Sequence, residues 1–101
     1  MHIFINEQKI KISDRLKQKI QVKFDRGLEK LLGHYQDDLK NASLSIEKIT
    51  RSGYEIKFDM NLPGCPVNIK KTSKVLIDGI VQVRNDAKRQ IKKAIEKMRV
   101  F

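Results

Sequence analysis

Lysine and arginine are the residues whose spacing in this chain carries chemistry. Lys19, Lys23, Arg26 and Lys30 recur at intervals of three and four, and Arg84, Lys88, Lys92 and Arg99 form a second set near the other end. On a helix, with about 100° between residues, each set falls on one stripe. Like charges one turn apart disfavour an isolated helix, so such a stripe points to an external anion that compensates it. The chemistry it fits is phosphate binding, in which cations displace the counterions condensed on a polyanion. The plainer alternative is a solvated helix face, with long basic side chains covering apolar surface and Glu29, Asp78, Asp86 and Glu96 supplying weak helix pairs. Segregation of sign favours binding, because Asp25 and Glu29 lie off the first stripe.

Other reactive side chains support less. Cys65 stands between Gly64 and Pro66, with no sequence tie to His2 or His34, and reads as an incidental thiol in a turn. Two histidines and one cysteine, widely spread, match no metal-ligand spacing. Asp37-Asp38 reads as a solvated loop, and no glycine-rich phosphate cradle occurs. No catalytic residue, metal or cofactor is therefore expected. Phe24, Tyr54 and Phe58 fall on apolar stripes, leaving Phe4, Tyr35 and Phe101 as candidate exposed rings. With so few rings for stacking, structured RNA recognised by shape is favoured over single strands.

The elements that must hold the basic stripes follow from periodicity. His2–Asn6 is short and β-rich, and Ile10 and Ile12 continue an alternating pattern. Ser13 or Asp14 can cap a helix carrying Leu16, Ile20, Phe24, Leu28 and Leu31, with Gly33 as its stop. Between Asn41 and Thr72 the period falls to two, and Arg51-Ser52-Gly53 and Pro63-Gly64-Cys65-Pro66 punctuate it as turns. Strands are expected near 42–50, 54–62 and 66–72, each burying one face. From Ser73 the helical period returns, with Leu76, Ile80, Val83, Ala87, Ile91, Ala94 and Met98 on one stripe. Gly79 is a blemish there, costing about 1 kcal/mol relative to alanine. The expected fold is α+β, β-α-β-β-β-α: a four-stranded sheet with both helices on its apolar face, and a right-handed first crossover if strands one and two are parallel.

Composition agrees with this plan. The chain has 101 residues, a size for one domain spanning 1–101 and one core. It carries 22 Lys and Arg against 12 Asp and Glu, a net charge of +10. Eight of those ten charges reside in the two helical segments, 14–33 and 73–99. A polyanion is the natural partner, with anionic membrane as the rival to nucleic acid. The strand face bearing Glu47, Glu55, Lys57, Asp59 and Lys70 is mixed in sign and reads as solvated. A lone cysteine, with no signal-like or membrane-spanning apolar run, points to the cytoplasm.

The chain also resembles the short ribosome hibernation-promoting factors and ribosome-associated inhibitors. The carriers are the opening strand followed by Ile12-Ser13-Asp14-Arg15-Leu16-Lys17, then Lys23-Phe24, Leu44-Ser45-Ile46-Glu47-Lys48 and Lys88-Arg89-Gln90-Ile91-Lys92-Lys93. Their order and spacing cover nearly the whole chain. The resemblance implies a fold similar to double-stranded-RNA-binding domains. It also implies binding to the 30S subunit and 70S ribosome through 16S rRNA at the decoding region, where occlusion of mRNA and tRNA silences translation in stressed or stationary cells. It implies no C-terminal dimerisation domain and a free protein that is a monomer. The family's basic last helix corresponds to Lys88, Arg89, Lys92, Lys93 and Lys97, with Lys23, Arg26 and Lys30 as the first-helix counterpart. The chain departs from the family at Lys74–Val81, which lacks the tyrosine and second acid common there. The alternatives are a general structured-RNA module and a protein-interaction regulator of the sigma-factor-modulating kind.

Overall fold

Alternation of apolar and polar residues gives four strands, and a helical period gives the two segments that cover them. The computed structural model of the chain describes residues 2–33, 41–49, 53–62 and 65–99, and the side chains of all of these except Cys65, Met98 and Arg99. The elements run β1 (His2–Gln8), α1 (Asp14–Leu28), β2 (Asn41–Ile49), β3 (Gly53–Leu62), β4 (Cys65–Ser73) and α2 (Leu76–Arg99). The turn residues Arg51, Ser52, Pro63 and Gly64 lie outside the described residues.

The sheet has the order β1-β2-β3-β4. β1 and β2 pair in parallel, with Ile3 opposite Ala42 and Ile5 opposite Leu44. β2–β3 and β3–β4 are antiparallel, aligning Leu44 with Phe58 and Phe58 with Ile69. This register puts Ala42, Leu44, Ile46, Ile56, Phe58, Met60, Val67 and Ile69 into one buried layer. Ile20, Phe24 and Leu28 of α1 and Ile80, Val83, Ala87 and Ile91 of α2 close it from the other side. Phe24 and Phe58 stack at its centre, 5.0 Å apart and 12° from parallel. α2 packs over β3 and β4, with α1 beside it toward β1. Since β1, β2 and β4 point the same way, the connectivity makes α1 and α2 run in one common direction.

The structure departs from the sequence expectations at element ends, for local reasons. β1 stops at Gln8 because Lys9 adopts φ 58°, a left-handed conformation that breaks the strand. Ile12 is still buried, and its N–H donates to Glu7 Oε2 at 2.5 Å. α1 begins where expected, with Ser13 Oγ accepting from the Leu16 N–H at 3.2 Å, but its α-helical part ends at Leu28. Residues 29–33 continue as turns, in which the Gly33 N–H donates to Lys30 O. Leu32 is thereby fully buried, whereas Leu31 is only half-buried. β4 runs through Ser73, whose Oγ donates to Val75 O at 2.8 Å and accepts from the Val75 N–H at 3.3 Å. That turn delays α2 to Leu76.

Gly79 is required rather than a blemish. A β-carbon there would stand 2.6 Å from Ile56 Cδ1 and 2.8 Å from Ser73 Cβ, so only glycine lets the first turn of α2 sit this close to the sheet.

Candidate nucleic-acid interface

The stripe on α1 exists because the residues between its cations are the ones that bury. Ile20, Phe24 and Leu28 point to the sheet, and Lys19, Lys23 and Arg26 are carried to the solvent side. They border an open depression of about 650 Å³ together with Arg15, Gln18, Val22 and Ile77. Val22, 44% exposed, and Ile77 from the first turn of α2 are its apolar lining. Lys30 is exposed in the turn beyond α1. Arg15, one turn before Lys19, belongs to this stripe although it was not among the expected contacts; the same four-residue interval, continued backward, reaches it. Val22 and Ile77 give no charge signal in the sequence.

Lys17, also on α1, is drawn elsewhere. Its Nζ lies 2.6 Å from Glu7 Oε1 and ties the start of α1 to the end of β1. The hydrogen bond from Lys17, then that from the Ile12 N–H, holds the Glu7 carboxyl below its ordinary value, and Glu7 raises Lys17 in turn.

The stripes meet at one point. A β-carbon on Gly27 would lie 2.6 Å from Arg84 Cδ and 3.0 Å from its Cγ, so the aliphatic stem of Arg84 occupies the notch left by this glycine. The Arg84 guanidinium donates to Asn85 Oδ1 from Nε at 3.3 Å and from Nη2 at 3.0 Å. Lys88 and Lys92 follow Arg84 at successive turns and are exposed.

The remaining basic residues of α2 are set apart from this seam. Arg89 lies 3.7 Å from Asp86, which also pairs at 3.0 Å with Lys71 of β4. That flank therefore faces the edge strand, and Lys93 and Lys97 follow around the same side by helical spacing. Arg99 lies beyond the described side chains. The structure thus brings together Lys19, Lys23, Arg26 and Arg84, extends them through Lys88 and Lys92, and separates Arg89, Lys93 and Lys97.

The opposite sheet face neutralises itself. Glu55 pairs with Lys57 at 3.5 Å and with Lys70 at 3.7 Å, and Glu47 pairs with Lys9 at 3.7 Å. Among the described residues, no carboxylate lies within ion-pair distance of Arg15, Lys19, Lys23, Arg26, Arg84, Lys88 or Lys92. The seam is thus a cationic surface without carboxylate partners among the described residues, suited to an anion supplied from outside.

Among the described residues no group of three or more His, Cys, Asp or Glu is placed to hold a metal, and no buried side-chain polar atom lacks a hydrogen-bond partner. His34, Tyr35, Asp37, Asp38 and Phe101 lie outside the described residues, as does the Cys65 side chain. Phe4 is 55% exposed on β1, edge-on to His2 at 4.3 Å, on the sheet face away from the seam. No helix among the described residues is long and apolar enough to cross a membrane.

No protein-family model matches the chain, and no curated relative does. Solved structures do match in fold. A ribosomal subunit interface protein from Coxiella burnetii superposes with a TM-score of 0.77 at 20% identity, covering 95% of this chain and 99% of its own. The N-terminal domain of Protein Y from Thermus thermophilus gives 0.75 at 19% identity, covering 92% of this chain and 98% of its own.

Proposed function

We propose that this protein is a ribosome-associated factor of the hibernation-promoting kind, which binds the small ribosomal subunit through its helical face. The single observation that carries this reading is the cationic seam of α1 and α2, set on a fold shared with a ribosomal subunit interface protein. Arg15, Lys19, Lys23, Arg26, Arg84, Lys88 and Lys92 contact phosphates of 16S rRNA, with Lys30, Arg89, Lys93 and Lys97 as peripheral contacts. Phosphate contacts fix position without reading sequence. Bound at the decoding region, the domain blocks mRNA and tRNA by occupying their space, as a binder rather than a catalyst. It acts in the cytoplasm, is a monomer when free, and serves cells in stationary phase or under stress.

Co-sedimentation with 30S subunits and 70S ribosomes at physiological salt, with excess total RNA as competitor, tests the proposal. Retention on ribosomes in the presence of competitor is the expected result. Stripping by competitor would make the protein a general structured-RNA module, and absence from the ribosomal fractions would refute ribosome association.

A further inference from the structure

The two basic stripes do not face each other as walls of a cleft; they lie end to end. α1 and α2 run in one direction, and the Gly27–Arg84 contact sets Arg84 level with the last turn of α1. Arg15, Lys19 and Arg26 precede that level, whereas Lys88 and Lys92 come after it, where α1 has already ended. At about 1.5 Å of rise per residue, the run from Arg15 to Lys92 is about 30 Å long. Its cations recur about every 6 Å, one turn of helix, close to the separation of consecutive phosphates along one nucleic-acid strand. Arg84, laid flat across the glycine notch and held by Asn85, bridges the two halves.

We infer that this seam is a track for one extended RNA strand, with Arg84 as the positioning residue that joins its halves and Val22 and Ile77 as an apolar floor for the sugars. The inference rests on the RNA-binding reading above and specifies its ligand. A straight line of cations suits an extended strand, because a strand in a duplex winds away from any straight path within a few phosphates. This departs from the structured RNA expected from the scarcity of rings: the described floor is aliphatic, so the strand is held through its phosphates, without the base stacking that single-strand binders commonly add, and binding is independent of sequence.

The test is fluorescence anisotropy of the whole protein with labelled oligouridylates of four and twelve nucleotides and a twelve-base-pair RNA duplex, each titrated with salt. Seven phosphate contacts on a single strand predict a log–log salt slope near −5 for the twelve-mer, at about 0.7 per contact. The four-mer spans only part of the track and gives a slope roughly half as steep, with the duplex also shallower than the twelve-mer. Lys19→Ala, Arg84→Ala and Lys88→Ala each reduce the twelve-mer slope by about 0.7, and Lys57→Ala on the sheet face leaves it unchanged. Val22→Ser lowers twelve-mer affinity severalfold with the slope intact. Equal slopes for the two oligomers, a duplex as steep as the twelve-mer, or no oligomer binding by a protein that still sediments with ribosomes would overturn the track alone. A protein that binds neither ribosomes nor oligomers would overturn the RNA-binding reading itself.

Discussion

Replacing Gly27 or Gly79 with alanine adds one methyl group to a helix, yet the surroundings of the two positions predict unequal outcomes. Both substitutions gain helix propensity of up to about 1 kcal/mol, reduced because each glycine lies in a terminal turn. At Gly79 the new carbon meets Ile56 Cδ1 at 2.6 Å and Ser73 Cβ at 2.8 Å. Ile56 is fully buried and Ser73 is fixed by its turn, so neither yields cheaply. Overpacking of this kind costs about 1–3 kcal/mol, which leaves Gly79→Ala destabilised by about 1–2 kcal/mol after the propensity gain. For a domain of this size that is a fall in Tm of roughly 5–10 °C. At Gly27 the obstruction is Cδ and Cγ of the half-buried Arg84 side chain, which must turn aside as a whole but is not locked in the core. Its displacement therefore costs less than the shift at Gly79 and roughly cancels the propensity gain. The cost appears in binding, because the displaced Arg84 no longer bridges the stripes, and the salt slope falls by about one contact. Thermal melts of both variants, with salt-titrated RNA binding of Gly27→Ala, decide the matter. Equal Tm shifts for the two variants, or full salt dependence in Gly27→Ala, would refute the packing argued here.

Three further outcomes follow from the same geometry. Phe24→Ala removes one ring of the buried stacked pair and costs about 3–5 kcal/mol, whereas Phe4→Ala on the exposed sheet face changes stability by about 0.5 kcal/mol or less; denaturant melts compare them. The Glu7–Lys17 pair sets a pH dependence. Because the Glu7 carboxyl is held below its ordinary value of 4.5, its stabilisation is present above that value and lost as pH falls through the folded value; Lys17, raised above 10.5, loses its share only as pH rises past that value. Urea midpoints of Glu7→Gln between pH 6 and 3 should fall less steeply than those of wild type, and parallel curves would contradict the pairing. Asp86→Asn releases Lys71 and Arg89 at a stability cost under about 1 kcal/mol, and RNA affinity measured at low salt should rise as a negative charge leaves the helical face.

The fold was legible wherever a residue's role depends on its near neighbours. The alternation from Tyr54 to Leu62 and the helical stripe from Ile80 to Ile91 both report a half-buried element directly, and Ser13 reports a helix start through its own cap. Element ends were less legible because tertiary constraints set them. Lys9 takes a left-handed conformation that its type does not favour, and burial of Leu32 in place of Leu31 follows from a tightened turn. Gly79 looked like a flaw because its reason, Ile56, lies on another strand. In the candidate interface the four-residue spacing exposed the cations of α1, and continuing it would have reached Arg15. The junction at Gly27 and Arg84 was invisible, since nothing local couples residues that far apart in the chain. The division of α2 into a seam side and an Asp86 side likewise needed β4 in place beside the helix.

In the proposed function the helical face, not the sheet face, engages the ribosome. Binding to purified 30S subunits measured across a salt series, with Lys19→Glu/Lys88→Glu set against Lys57→Glu/Lys70→Glu, distinguishes the two faces. The helical pair is expected to abolish binding at physiological salt while the sheet-face pair retains wild-type affinity to within a few-fold. Equal losses from the two pairs, or survival of binding in the helical pair, would contradict it.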